Sequence, residues 1–393
     1  MSVKMRYNIL TFCYYVVMCS FAGFVAVFLQ YKGVSNTQIG LVTGTGCVAS
    51  IFGAPFFSNL IIKKDNLTVK KMIYIVYSIL CFFFVGLVFL PLPVMIVIIM
   101  YTLLHTIYLS SMPFLQMMAS DYLQAGIDVD FGVARGLGST AWALTSLSLG
   151  FLIDYFSPTI LAYVMILFVC LTFFLLRKMP EAQEGDHTKK QRGSIFSIII
   201  KYPVFSVSLL GMGFMLAAAT SLGTYLINIV KNIGGDTSFF GIAVFLMALS
   251  EMPVMAISTK LMSRFKSINL IAFAAICYVL RNYIICLAPN IFVLCCGMLL
   301  QGVSFGLLTA VFMYYVIFNL ASEDQTNGQT LIIMLTTGFG SMIGNLLGGI
   351  LQDSFGLGAM YMFVYIMTIL GAMTMLTGWL MSKKDKYKKE VRR

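Results

Sequence analysis

Apolar residues in this chain run unbroken for roughly 20 or more positions at a time, the length a helix needs to cross a bilayer about 30 Å thick. The stretch "LTFCYYVVMCSFAGFVAVFLQY" (10–31) is the first of them. The runs are continuous instead of alternating, which excludes the strands of a membrane barrel. Charged residues make up 10% of the 393 positions, against about 25% in an ordinary soluble domain. One aqueous core cannot hide so many apolar side chains, and lipid must cover the rest. The expected class is an all-α integral membrane protein.

Charges and turn residues bound twelve expected spans: about 7–31, 37–62, 71–90, 92–119, 131–155, 158–176, 203–231, 237–262, 267–287, 290–318, 326–353 and 357–382. The first run is too long for the apolar region of a signal peptide, and no small-residue cleavage site follows it. It reads as a span. The nine cysteines all fall inside apolar runs without metal-ligand spacing and read as small hydrophobes. No metal or cofactor is expected.

Basic residues set the orientation. Of 26 Lys and Arg, Arg135 and Arg281 lie within spans and Lys32 and Lys231 in loops on one side, which leaves 22 on the other. Among those are "KKDNLTVKK", the central loop and the tail "KKDKYKKEVRR". The positive-inside rule puts both termini and the central loop in the cytoplasm. The expected location is the cell's inner (plasma) membrane, crossed many times. The net charge of +11 is a signal for topology and for lipid headgroups, and no nucleic-acid partner is implied.

The halves resemble each other. "GFLIDYFSPTILAYVMILF" (150–168) parallels "GGILQDSFGLGAMYMFVYI" (348–366), and "ASD" (119–121) parallels "ASE" (321–323). Asp154 and Asp353 close the fifth span of each half, where a polar helix end facing water is the simpler account. The expected organisation is a six-helix bundle over 1–179, a linker over 180–201, a second six-helix bundle over 202–382 and a basic tail over 383–393. A parallel repeat of six spans plus six is the layout of a major facilitator transporter, whose sites lie near the bilayer midplane. Small residues four apart, Gly40 and Gly44, then Gly340, Gly344 and Gly348, suit close helix crossings.

Few ionisable groups fall inside the spans: His105, Arg135, Glu251 and Arg281. A charge at mid-bilayer costs on the order of 3 kcal/mol and faces a partner or a wet cavity. Glu251, in "FLMALSEMPVM", is too deep for a short side chain to reach either surface, and Pro253 beyond it favours a kink. It is the first choice as substrate binder, proton carrier or both; pairing with an arginine is the structural alternative. Arg135, Gly138, Ser139 and Trp142 fall at i, i+3, i+4, i+7 and share one helix face. A guanidinium fork, a hydroxyl and an indole in one column suit a sugar or an anion, although an arginine near a helix end also snorkels. Arg281 pairs with Glu251 or serves proton coupling. His105 is a core histidine or a proton relay. Gln116 and Gln301 bind substrate or tie helices together.

At "FGVARGLGSTAW" (131–142) the sequence resembles the oligosaccharide–proton symporters, the lactose-permease branch of the major facilitator superfamily, which carry FGxxRxxGxxGW-like text entering the fifth span. The resemblance implies that Arg135 binds sugar hydroxyls and that Trp142 stacks on the pyranose ring, with Ser139 beside it. It also puts Glu251 at the family's eighth-span glutamate and Arg281 at its ninth-span arginine. The fourth-span acid reads Gln116, the tenth-span His and Glu read Gln301 and Ser304, and the seventh span offers only Asn228. An Asp of the cytoplasmic loop reads Asn59. With two arginines and one glutamate left, the spans hold a surplus positive charge. That allows an anionic substrate; the opposing expectation is a neutral sugar or nucleoside.

The leading expectation is a secondary transporter taking up a sugar or related small polar solute by alternating access, with the proton as coupling ion, acting as a monomer in the lipid bilayer. The alternatives are transport of an organic anion or nucleoside, export of amphipathic compounds across a lining rich in Phe and Met, or a membrane sensor. An enzyme is not expected. The second of two histidines, His187, is in the central loop, no acids pair within the spans, and there is no GxxxxGK[ST] loop.

Overall fold

The computed structural model describes residues 2–63, 67–180 and 195–391. Among them every regular element is helical, as hydrocarbon requires of a chain that must satisfy its backbone within each segment. Eleven helices are long and apolar enough to cross a membrane, and a pair bent by 48° makes up to twelve. In chain order they are α1 (Val3–Gly23 with Val25–Tyr31), α2 (Asn36–Ile61), α3 (Val69–Phe89), α4 (Val94–Gln124), α5 (Gly132–Tyr155), α6 (Ile160–Arg177), α7 (Pro203–Thr224), α8 (Thr237–Ser258), α9 (Ser267–Cys286), α10 (Ile291–Asn319), α11 (Gln325–Phe355) and α12 (Leu357–Lys384). The protein is a multi-pass membrane protein.

The chain forms two compact units, Met1–Lys189 with Gly235–Phe245, and Lys190–Gly234 with Leu246–Arg393. The start of α8 thus counts with the first unit. The internal repeat reaches the backbone. α1 breaks at Phe24 (φ −114°, ψ 26°) and α7 gives way at Tyr225 (φ −101°, ψ 17°). Each break is followed by a seven-residue helix, Val25–Tyr31 or Leu226–Asn232. Each of these ends at a left-handed glycine, Gly33 (φ 80°) or Gly234 (φ 83°), a conformation that costs glycine nothing. Tyr225 follows Phe24 by 201 positions and Gly234 follows Gly33 by the same 201.

The first unit is bound by buried tyrosines. Tyr7 Oη donates to the Leu115 carbonyl at 2.8 Å and Tyr14 Oη to the Ser111 carbonyl at 2.9 Å, tying α1 to α4. Residues Cys19–Gly23 of α1 form a π-helical turn, which tips carbonyls out of the regular ladder. Tyr101 of α4 takes one of them, the Phe21 carbonyl, at 2.5 Å, with its ring stacked on Phe21 at 4.8 Å. In the second unit small residues bring backbones together. Gly344 and Gly348 of α11 seat against the Ala217 carbonyl and the Ser221 hydroxyl of α7, where no Cβ fits. Gly40 and Gly44 are buried in the first unit.

Several boundaries differ from the sequence reading. The seventh span stops at Thr224, because the Tyr225 break splits the expected 203–231. α4 runs on past residue 119 to Gln124, carrying Asp121 into a buried position, 5% exposed. Ile195–Lys201, placed in the linker by the sequence, is helical, and its Ile198 is fully buried in the core of the second unit. The last helix continues through the expected tail to Val391. α8 belongs to a helix, Thr237–Arg264, that passes through Pro253 without a break. The rest of the linker, 181–194 with His187, lies outside the described residues, as do 64–66 and 392–393.

Candidate functional site

In the first unit the candidate residues gather on α5. Asp130 caps this helix, accepting from the Val133 N–H at 3.0 Å, and Lys4 stands 3.6 Å from the same carboxylate. The Val133 hydrogen bond, with Lys4 beside it, holds the Asp130 carboxyl below its ordinary range. The cap fixes where the helix begins and so which way its column faces. Arg135 follows one turn later. It is exposed, and the described residues give its guanidinium no hydrogen bond or ion pair. Ser139 and Trp142 are half-buried.

The column packs against the π-helical turn of α1. A Cβ on Gly138 would come within 2.6 Å of the Tyr15 ring, and one on Gly23 within 3.4 Å of the Trp142 indole. Cys19 Sγ contacts the Trp142 carbonyl at 3.8 Å. Tyr15, itself half-buried, therefore joins the face formed by Arg135, Ser139 and Trp142. Nothing in the sequence marks Tyr15, since it stands in an aromatic run. Gln116 is exposed on α4, three residues past Pro113. His105 sits away from solvent, 6% exposed, its ring between Phe21, Tyr101 and Tyr108 and its Nδ1 without a hydrogen bond. Gly46 of α2 leaves the space that the imidazole fills.

The second unit holds a denser polar cluster. Arg281 of α9 is 2% exposed, with Nη1 donating to Asn282 Oδ1 at 2.9 Å. Asn282, fully buried, passes the chain on from its Nδ2 to Thr368 Oγ1 of α12 at 2.8 Å. The Arg281 guanidinium lies 5.7 Å from the centre of the Tyr278 ring, and Glu251 of α8 acts electrostatically on both Arg281 and Tyr278. Gln301 of α10 is 6% exposed and opens a second π-helical turn, Gly302–Gly306. That turn presses on α8. The Gly302 N–H donates to Ser250 Oγ at 3.1 Å, and Gly306 lies open to Glu251, whose Cγ is 3.5 Å from where a Cβ would stand.

This cluster is not saturated. Arg281 Nε, Tyr278 Oη and Gln301 Oε1 are buried without a hydrogen-bond partner, and a buried polar group left unmade costs about 1–3 kcal/mol. Arg281 Nε and Tyr278 Oη, two open donors within the electrostatic reach of Glu251, can bind a hydroxylated solute. Asn282 and Thr368 were missed by the sequence reading, although Asn282 stood next to Arg281 as a second polar residue in an apolar run. Asn228 donates to Gln352 Oε1 of α11 at 2.8 Å.

The sequence model of the MFS_1 like family matches residues 4–365. A maltose permease of Geobacillus stearothermophilus is 24% identical over 257 residues, 65% of this chain and 64% of that protein. The chain thus matches less than two thirds of the permease's length. A Bacillus subtilis protein described as the uncharacterized transporter YwbF is 22% identical over 343 residues, 86% of this chain and 83% of its own. Among solved structures, the nucleoside transporter NupG has a TM-score of 0.81 at 14% identity, covering 98% of this chain and 100% of that one. A D-xylose–proton symporter has a TM-score of 0.67 at 13% identity, covering 96% of each. These likenesses establish the shared fold.

Proposed function

This chain belongs to the MFS_1 like family, and from that premise we propose that it is a secondary transporter that takes up a sugar or a related polar solute, such as a nucleoside, by alternating access with a proton. The observation that carries this reading is the unsaturated cluster around Arg281, buried within a membrane-spanning unit with hydrogen-bonding atoms left open. Keeping an arginine there without a role would cost several kcal/mol. The names of the relatives, a maltose permease and a D-xylose–proton symporter among them, support the substrate class.

In this reading Arg135, Ser139 and Trp142 bind the solute, the arginine by forked hydrogen bonds and the indole by stacking, and Gln116 is a further candidate. Glu251 and Gln301 are also candidate binders of the solute. Glu251 carries the proton, because a carboxylate next to an arginine is poised between two charge states, and Arg281 sets that poise. His105 serves packing in this scheme, and Asn228 serves its tie to Gln352. The protein acts as a monomer in the plasma membrane with both termini in the cytoplasm, as the basic loops suggest. A second reading rests on one observation: Arg135 is exposed without an acidic partner among the described residues, which suits an anionic solute such as a sugar acid.

Transport into sealed vesicles under an imposed pH gradient tests both. Neutral sugars and nucleosides are expected to accumulate, and Glu251→Gln is expected to abolish accumulation while leaving exchange. If uptake rises with negative charge on a set of analogues, the anion reading replaces the neutral one. If nothing moves, or Glu251→Gln accumulates normally, the proton scheme is wrong.

A further inference from the structure

The face that Tyr15 of α1 shares with Arg135, Ser139 and Trp142 of α5 has a property in common to all four. None of them makes a side-chain hydrogen bond among the described residues. Their neighbours behave otherwise. Tyr7, Tyr14, Tyr77, Tyr101 and Tyr122 of the same unit each donate to a backbone carbonyl. Thr140, next to Ser139, donates to the Gly136 carbonyl at 3.0 Å. The other tryptophan, Trp379, gives its indole N–H to Asn269 Oδ1 at 2.8 Å. Internal structure therefore uses the hydroxyls and the indole elsewhere and leaves them open on this one face.

Gly138 settles where the Tyr15 ring lies. A Cβ there would stand 2.6 Å from Cε2, 2.7 Å from Cδ2 and 3.0 Å from Cζ, so the ring covers the glycine and the hydroxyl is one bond beyond. Gly138 stands between Arg135 and Trp142 in the column, and a helical Cβ tilts toward the N-terminal end. The ring thus lies along the stretch from the arginine to the indole, and it is half-buried, with part of its surface open. The glycine seat holds it there without help from the hydroxyl. An arginine donates and cannot accept, and an indole only donates, whereas a hydroxyl does both. A carboxylate solute needs donors alone. A sugar or nucleoside must also place its own O–H groups, and Tyr15 Oη and Ser139 Oγ are acceptors for them. We propose that Tyr15 is a solute-binding residue whose hydroxyl exchanges a hydrogen bond with one hydroxyl of a neutral sugar or nucleoside. This rests on the reading of Arg135 and Trp142 as binders of the solute, and it adds a residue that selects the solute by its hydroxyl pattern.

Calorimetric titration of the full-length chain in nanodiscs, with maltose, D-xylose and uridine as probes, tests this. Tyr15→Phe keeps the ring on Gly138 and loses only the hydroxyl, so its unfolding temperature is expected to match that of the unaltered protein. Its affinity for a probe that the unaltered protein binds is expected to fall about three- to tenfold, the measure of one neutral hydrogen bond. Among monodeoxy analogues of that probe, the one lacking the partner hydroxyl is expected to bind both proteins alike, and the others to keep the difference. Arg135→Lys is the control for the underlying reading. If it weakens binding and Tyr15→Phe does not, the proposal is wrong and the reading stands. Equal loss for every analogue, with a lowered unfolding temperature, would assign the hydroxyl to packing and also overturn the proposal. If no probe binds the unaltered protein, or neither substitution changes binding, the reading fails and the proposal with it.

Discussion

Asp154, on the last turn of α5, accepts a hydrogen bond from the backbone N–H of Thr237 at 3.1 Å and further bonds from the N–H and hydroxyl of Ser238. A side chain from one helix thus caps the start of another, α8. Its neighbour Gly150 meets Gly241 with no room for a Cβ on either. Asp154 is exposed, as a polar helix end facing water would be, and it also forms a cap shared between helices. Loss of a side-chain cap costs about 0.5–2 kcal/mol. Asp154→Ala is expected to lower the thermal unfolding temperature in detergent, and Asp154→Asn, which keeps an acceptor, to lower it less.

Gly138 is required by the Tyr15 ring. Gly138→Ala forces the ring to move and is expected to cost about 1–3 kcal/mol, as overpacking does. Tyr15→Ala in the same chain makes room, so the double variant is expected to be more stable than the sum of the two single changes allows. A double-mutant cycle on thermal unfolding measures this coupling.

Arg135 and Trp142 are expected to act on affinity, with little effect on folding, since one is exposed and the other half-buried. Arg135→Lys keeps the charge and loses the fork; a loss of about 1.4 kcal/mol is tenfold in affinity, and a change of that order is expected. Trp142→Ala is expected to weaken binding more than Trp142→Phe, which keeps a stacking surface. Binding of a transported solute to purified variants, read beside their unfolding temperatures, separates the two effects.

Asn282 stands between Arg281 and Thr368 and is fully buried. Asn282→Leu removes the hydrogen bonds to both neighbours and leaves two buried polar groups unmade, at about 1–3 kcal/mol each. Thr368→Val removes only the far end of the chain and is expected to cost about 1–3 kcal/mol. The order of the two unfolding temperatures is the check; equal values would show that Arg281 does not rely on Asn282.

Lys201 donates to Asp324 Oδ2 at 2.6 Å, and Tyr202 donates to the same oxygen at 2.9 Å. The lysine's hydrogen bond holds the Asp324 carboxyl below its ordinary range, and the carboxylate in turn holds Lys201 above its own. A depressed carboxyl stabilises above its unfolded pKa and loses that contribution as pH falls through the folded one. A raised lysine stabilises below its unfolded pKa and loses it as pH rises through the folded one. The contact is therefore intact through neutral pH, weakening in acid below about pH 4 and in alkali above about pH 10. Asp324→Asn is expected to flatten both limbs of a plot of unfolding temperature against pH.

The apolar runs by themselves determined that the chain crosses a membrane many times as helices, because runs that do not alternate exclude a barrel and a helix satisfies its backbone polar groups within one segment. They also made Glu251, Arg135 and Arg281 stand out, since each charge is an exception that needs a reason. What the runs left open was which side of each helix faces protein. Phe82 and Phe84 belong to one run, yet Phe82 is 74% exposed and Phe84 fully buried, because lipid and core are equally apolar and the pattern does not distinguish them. The π-helical turns, the seating of Tyr15 on Gly138, the Asn282–Thr368 tie and the Asp154 cap join positions far apart in the chain. Each depends on how a neighbouring helix packs, so only the tertiary structure decided them.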